Sequence, residues 1–268
     1  MIKQSKVWFE GMIIALQFFT VIPIHQTIDL NIRNIRRAIQ VYPIVGLFFG
    51  GCIIGIYWLA DVWTPFSHLA LTCLLFTLFI VVSGGIHLDG WIDTSDAYFS
   101  YRDRDKRLEI MKDSRVGAFG VMSLLFILGW RLLFMYEGLT AMSLSKLLLF
   151  ASIPFLSRMA MAMLLVYSPL AKDEGLAAYF QRGCRKKDAI IFFIYIMIYL
   201  VIIGVINIKA FVCLLLLVIC TGLFFFISYR FFKKNFGGIT GDTLGASVEG
   251  AETFLWMILW LCRLFVMG

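Results

Sequence analysis

Charge is scarce in this chain. Asp, Glu, Lys and Arg make up 15% of its 268 residues and hydrophobic residues 61%, where a soluble domain has roughly 25% and 45–50%. So little polar surface excludes an ordinary water-soluble fold. Pro-rich and Ser-rich linkers, low-complexity tracts and internal repeats are also missing, which argues against a string of domains or a solenoid and leaves one integral-membrane domain over 1–268. The six cysteines form no CxxC pair. Cys52, Cys73, Cys213, Cys220 and Cys262 lie in apolar runs and read as packing residues rather than as a disulfide framework. No cleavable signal peptide is expected, because the first apolar stretch, Val7 to Ile24, contains Glu10 and no small-residue cleavage site.

What the chain has instead is length in hydrocarbon. Mean hydropathy is +0.88, and apolar runs near 7–24, 38–60, 66–86, 117–139, 144–166, 189–206, 209–232 and 250–267 approach or exceed the roughly 20 residues a helix needs to cross about 30 Å of bilayer. The expected fold is an all-α, polytopic transmembrane bundle of seven to eight segments. Glu10 and Pro23 leave open whether the first segment spans, re-enters or lies at the interface.

A net charge of +7 and a pI near 9.1 do not point to nucleic acid here, because the cations sit in short loops. The loops 25–37, 87–116, 167–188 and 230–240 hold seventeen Lys and Arg residues, and 61–65, 140–146 and 207–209 hold two. By the positive-inside rule the four basic loops face the cytoplasm.

The acids are concentrated. Seven of seventeen fall between Asp89 and Asp113, and the stretch GGIHLDGWIDTSD places Asp89, Asp93 and Asp96 at i, i+4 and i+7. On a helix these project within about 60° of one another. Three like charges on one face beside a membrane call for a neutraliser, and all-oxygen ligands select a hard divalent ion such as Mg²⁺. His87 is a further candidate contact, and Gly90 lets a bulky ligand approach the backbone. Lys112, Asp113, Ser114 and Arg115 combine two cations and a hydroxyl around a carboxylate, a composition suited to phosphate. The turn GGITGDTLGA offers Gly238, Thr240 and Gly241 for backbone contact and Asp242 as a further carboxylate. Arg131, Arg158 and Arg263 interrupt apolar runs. Such residues either line a site or form ion pairs; Arg158 is the candidate phosphate contact among them, and Glu249 and Glu252 either hold one of these arginines or line the site.

These motifs, GGIHLDGWIDTSDAY, LEIMKDSRVGAFG and GGITGDTLGA, with LQFFTVIP, VYPIVGLFFG and FLSRMAMA in support, together resemble the cobalamin synthase family, the adenosylcobinamide-GDP ribazoletransferases of the bacterial inner membrane. The resemblance spans almost the whole chain. It implies a Mg²⁺-dependent transfer in which α-ribazole, or its 5′-phosphate, attacks the phosphate attached to cobinamide and expels GMP. In that frame Asp89, Asp93, Asp96 and Asp242 would be the catalytic and metal-binding residues. His87, Gly90, Lys112, Asp113, Ser114, Arg115, Arg158, Gly238, Thr240 and Gly241 would meet substrate. The Asp-rich segment is more distantly similar to CDP-alcohol phosphotransferases, but the second half of their motif is absent, so their two-metal arrangement does not carry over. Two rivals stand beside this reading. A Mg²⁺-dependent prenyltransferase would have a second three-Asp motif, and a transporter would place its acids at mid-bilayer. The expected partners are the two substrates and the bilayer, with no nucleic acid; a homo-oligomer is compatible with the sequence.

Overall fold

The computed structural model describes residues 2–139 and 144–267, and these are almost entirely helical. Eleven α-helices follow one another: α1 (Ile2–Phe19), α2 (Ile32–Trp63), α3 (His68–Ser83), α4 (Ile86–Phe99), α5 (Arg104–Ile110), α6 (Ala118–Gly138), α7 (Leu144–Tyr167), α8 (Leu176–Gln181), α9 (Ala189–Ile206), α10 (Ile208–Phe236) and α11 (Gly241–Cys262). Every expected apolar run is a helix, though with shifted ends. α1 stops at Phe19 rather than at 24: the Thr20 hydroxyl turns back to the Leu16 carbonyl at 2.7 Å and accepts from the Ile22 amide at 3.1 Å, and Pro23 follows. α2 begins at Ile32 rather than 38 because Asn31 caps it, its side chain accepting from the Arg33 and Asn34 amides, each at 3.0 Å.

Among the described residues, five helices are long and apolar enough to cross a membrane on their own: α2, α6, α7, α9 with its preceding turn, and α10. α3 and α4 add a sixth only if counted as one span bent by 85°. Length and hydropathy thus support five crossings, or six with the bent pair, fewer than the expected seven to eight. The shortfall has a physical cause in α11, where Asp242, Glu249 and Glu252 offset its apolar residues. α4, at 14 residues, covers only about 21 Å, less than a bilayer requires, so α4 and the first turn of α11 are assigned to the bundle end rather than to the spans.

α7 is the axis of the bundle. Its most apolar stretch is 89% buried, against 22% for α9 and 28% for α6 and α10, whose outward residues such as Phe126, Phe193 and Val205 are apolar and exposed. The core between α2, α7 and α11 is filled by Tyr42, Phe150, Phe155 and Trp256.

The basic loops meet at one end of the bundle. Arg36 binds Asp188 with Nε–Oδ2 at 2.8 Å, and the Tyr179 hydroxyl donates to the Leu30 carbonyl at 2.8 Å. Arg104 donates to the Ala171 carbonyl at 3.2 Å, Arg107 to the Asn235 side chain at 3.1 Å, and Leu170 bridges to Ile239. These contacts tie 25–37, 100–116, 167–188 and 230–240 together. At the other end His68 binds the Tyr136 carbonyl at 2.8 Å and Arg263 pairs with Glu137 at 3.5 Å. Of the expected turn at 140–146, residues 140–143 lie outside the described residues.

Candidate active site

The site is built where α4 meets α11. Gly84 and Gly85 both have left-handed backbones, φ 67° and 72°, and this double turn swings the chain out of α3 into α4. Asp89 then falls in the first turn of α4, where the helix dipole favours a carboxylate. α11 starts from a reciprocal cap: the Thr240 hydroxyl accepts from the Thr243 amide at 3.1 Å, and the Thr243 hydroxyl accepts from the Thr240 amide at 2.7 Å. That places Asp242 in the first turn of α11.

The two helices touch backbone to backbone. A Cβ on Gly90 would lie 2.6 Å from the Asp242 carbonyl oxygen and 3.0 Å from its Cα, so only glycine admits this crossing. Asp89 and Asp93, on either side of Gly90, are thereby brought to Asp242. Their charges act on one another. Burial, with the negative charges of Asp89, Asp242 and Asp96, pushes the Asp93 carboxyl up to about 7. Burial raises Asp242 as well, with Asp89 adding to the rise and Lys172 opposing it.

Asp96 also has partners outside the cluster. One of its oxygens accepts from the Gly117 amide at 2.7 Å and the other from the Gly120 amide at 2.8 Å. It therefore satisfies donors in the first turn of α6, which has no side-chain cap of its own. The small size of Gly117 and Gly120 is what admits the carboxylate. Among the described residues no three His, Cys, Asp or Glu side chains form a ready metal cage. The remaining arrangement, two carboxylates of α4 and one of α11 whose charges raise Asp93, suits a hard cation that takes one or two carboxylates and completes its shell with substrate phosphate and water.

The basic candidates divide. Arg115 forks onto Asp113, with Nη2–Oδ2 at 2.6 Å and Nε–Oδ1 at 3.0 Å, and this pairing holds the Asp113 carboxyl down at about 2. Lys112 makes an exposed pair with Glu174 at 3.3 Å, and Ser114 is exposed. Gly238 lies tightly against Pro169 and Leu170, so it serves the loop contact, whereas a Cβ on Gly241 would meet no atom within 4 Å. The backbone at Gly241 is thus open beside Asp242.

Arg158, the expected phosphate contact, is engaged inside the bundle. It is buried and paired with Glu252 and Ser157. Arg131 binds Glu249 at 2.7 Å, Glu252 at 3.5 Å and the Thr253 hydroxyl at 2.8 Å. Two arginines from α6 and α7 and two glutamates from α11 thus form a buried quartet, which is what burial of a charge demands. His87 is buried near Arg158 and Glu252, on the inner side of α4.

Two features went unread in the sequence. The Gly117–Gly120 spacing opposite Asp96 is visible only once α4 and α6 are placed together. Lys172 counted only as a loop cation, yet its ammonium donates to the Leu108 carbonyl at 2.9 Å and feels the charges of Lys112 and Asp242.

An all-helical protein with several apolar spans, a carboxylate group at one end and basic loops around it has the character of a membrane enzyme acting on phosphorylated substrates. The family model for cobalamin-5-phosphate synthase matches residues 11–260, and the chain belongs to that family. Similar proteins include the adenosylcobinamide-GDP ribazoletransferase of Geobacillus sp. (strain WCH70), 42% identical over 98% of this chain and 99% of the relative. The proteins of the same name from Geobacillus thermodenitrificans (39%, covering 97% and 98%) and Halalkalibacterium halodurans (40%, covering 94% and 95%) are also similar. No solved structure matches the chain.

Proposed function

We propose that the protein is an adenosylcobinamide-GDP ribazoletransferase that joins α-ribazole, or its 5′-phosphate, to the cobinamide phosphate and releases GMP. The observation that carries the reading is the Gly90–Asp242 contact, which unites the two motifs GGIHLDG and GGITGD at one end of the bundle, next to basic loops. Family membership over nearly the full chain supports it.

In the proposed step the acceptor hydroxyl oxygen forms a bond to the phosphorus attached to cobinamide, and the bond from that phosphorus to the bridging oxygen breaks. GMP departs with the bridging oxygen. Asp89 and Asp93, with Asp242, are the residues that would hold Mg²⁺, which when bound supplies charge screening for the pyrophosphate and the leaving group. Asp242, half-buried beside the open Gly241 backbone, would either complete the metal's ligands or take the proton of the acceptor hydroxyl. The carboxylates exclude a bare anion from the site, so donor phosphate and cation enter as partners.

The site faces the cytoplasm of a multi-pass inner-membrane protein in this reading. Its support is the charge asymmetry of the loops together with the contacts that gather all four basic loops at the end where the carboxylates stand.

The test is release of GMP by the purified protein in liposomes, given adenosylcobinamide-GDP and α-ribazole 5′-phosphate with and without Mg²⁺. Metal-dependent GMP and a cobalamin product are expected. Absence of both with metal present, from a folded protein, would overturn the assignment.

A further inference from the structure

Beside the carboxylates lies a cleft of about 320 Å³, walled on one side by α5 and on the other by the loop after α7. Its charged lining is Arg104, Lys112 and Lys172 against Asp105 and Glu109. Neither acid neutralises the lysines in the ion pairs present: Glu109 is taken by Lys106 at 2.6 Å, outside the lining. Arg104 is committed, donating to the Ala171 carbonyl and covering Gly237.

The two lysines are different. The Lys112 ammonium makes an exposed pair with Glu174, an interaction worth ~0–1 kcal/mol and easily exchanged. Lys172 has one carbonyl partner and no carboxylate within an ion-pair distance among the described residues. Partial burial and the Lys112 ammonium lower its proton affinity. Lys112 and Lys172 line the same cleft and act on each other, with only the exposed, exchangeable Glu174 carboxylate beside Lys112 and acting on Lys172 as well, a pair of cations suited to a phosphate dianion. Asp242 and Glu174 act on Lys172 in the opposite sense, and Asp242 belongs to the proposed reaction centre, which the cleft therefore adjoins. Its volume is at the small end of ligand pockets, roughly 300–1,000 Å³, too small for a corrin and adequate for a phosphorylated sugar.

We propose that this cleft binds a ribose 5′-phosphate group, with the ammonium groups of Lys112 and Lys172 as its phosphate ligands. The proposal rests on the transferase reading, in which two molecules carry such a group: the phosphorylated acceptor and the GMP half of the donor.

A first measurement does not depend on that reading. The intact protein in liposomes is acetylated with a water-soluble succinimidyl ester in the presence of ribose 5-phosphate or of ribose, and each lysine is followed by mass spectrometry. Ribose 5-phosphate above its dissociation constant is expected to slow acetylation of Lys172 and Lys112 by about threefold or more, and to leave Lys106 unchanged. Equal rates with both sugars at Lys172 would overturn the proposal, whether or not the wild type releases GMP.

The source is then separated by kinetics of K172Q. If the acceptor phosphate occupies the cleft, the preference for α-ribazole 5′-phosphate over α-ribazole in kcat/KM falls by about tenfold, as expected for a lost charge-assisted contact. If the donor occupies it, that preference holds while KM for adenosylcobinamide-GDP rises by a similar factor. K106Q is the control and changes neither. A K172Q enzyme with wild-type constants for all three substrates would overturn the assignment.

Discussion

The Gly117 amide donates to the Asp96 carboxylate at 2.7 Å across 21 residues of chain, so the third acid of an apparently uniform triplet caps a helix. This divides the triplet by experiment. Asp96→Asn keeps one acceptor oxygen and should cost about 1 kcal/mol of stability, as lost caps do, while Mg²⁺ still binds. Asp89→Asn and Asp93→Asn should not lower the melting temperature, and should reduce GMP release by about a hundredfold or more. Melting curves and Mg²⁺ titrations of the three variants separate the roles; equal loss of metal binding in all three would return Asp96 to the metal site.

Gly90 sets the distance between α4 and α11. Gly90→Ala inserts a methyl carbon 2.6 Å from the Asp242 carbonyl oxygen, and such overpacking costs about 1–3 kcal/mol when the neighbours are backbone. Activity should fall more steeply than stability, because the shift separates Asp93 from Asp242. Thermal unfolding and GMP release measured on one preparation test this, and an Ala variant with full activity would refute it.

The Asp93 carboxyl, raised to about 7, gives the metal-free protein a pH dependence of defined sign. A carboxyl whose folded pKa exceeds its unfolded value stabilises at low pH, and that contribution is lost as pH rises from about 4 through 7. Mg²⁺ should reverse the trend, since it competes with the proton: its affinity should weaken as pH falls below about 7. Melting temperature against pH, with and without Mg²⁺, reads both effects, and Asp93→Asn should flatten the metal-free curve between pH 4 and 7.

The buried quartet makes Glu252 a stability residue. Glu252→Gln leaves Arg158 and Arg131 short of charge inside the bundle, a defect that costs about 3–5 kcal/mol. Poor folding yield is the expected outcome. A double-mutant cycle with Arg158→Met should recover part of the loss, and additive effects would show that the pair is uncoupled.

Much of this was legible in the sequence because membrane helices are written in long apolar runs. The Asp89–Asp93–Asp96 spacing correctly implied one helix, and the two glycine-flanked motifs that the sequence singled out meet at Gly90 and Asp242. What was not legible depends on which helices touch. Asp96 reads like Asp89 until α6 is placed beside it. That Arg158 is paired with Glu252 is visible only once α7 proves to be the central helix and α11 is packed against it. Lys172 lies in a loop whose only visible property is charge, and its significance comes from the approach of α5. The α3–α4 break was hidden for another reason: two consecutive left-handed glycines end a helix, but do not say in which direction the next one leaves.

The quartet also bears on how the chain is made. Arg131 and Arg158 belong to helices that are synthesised before α11, and their acids, Glu249 and Glu252, arrive only with α11. Until α11 is made, the two guanidinium groups lack the carboxylates they pair with in the folded bundle. Release into the bilayer as a finished bundle is thereby coupled to arrival of the last α-helix. A chain truncated before Glu249 would lack the carboxylates that Arg131 and Arg158 pair with, and its α6 and α7 would carry two buried cations without them.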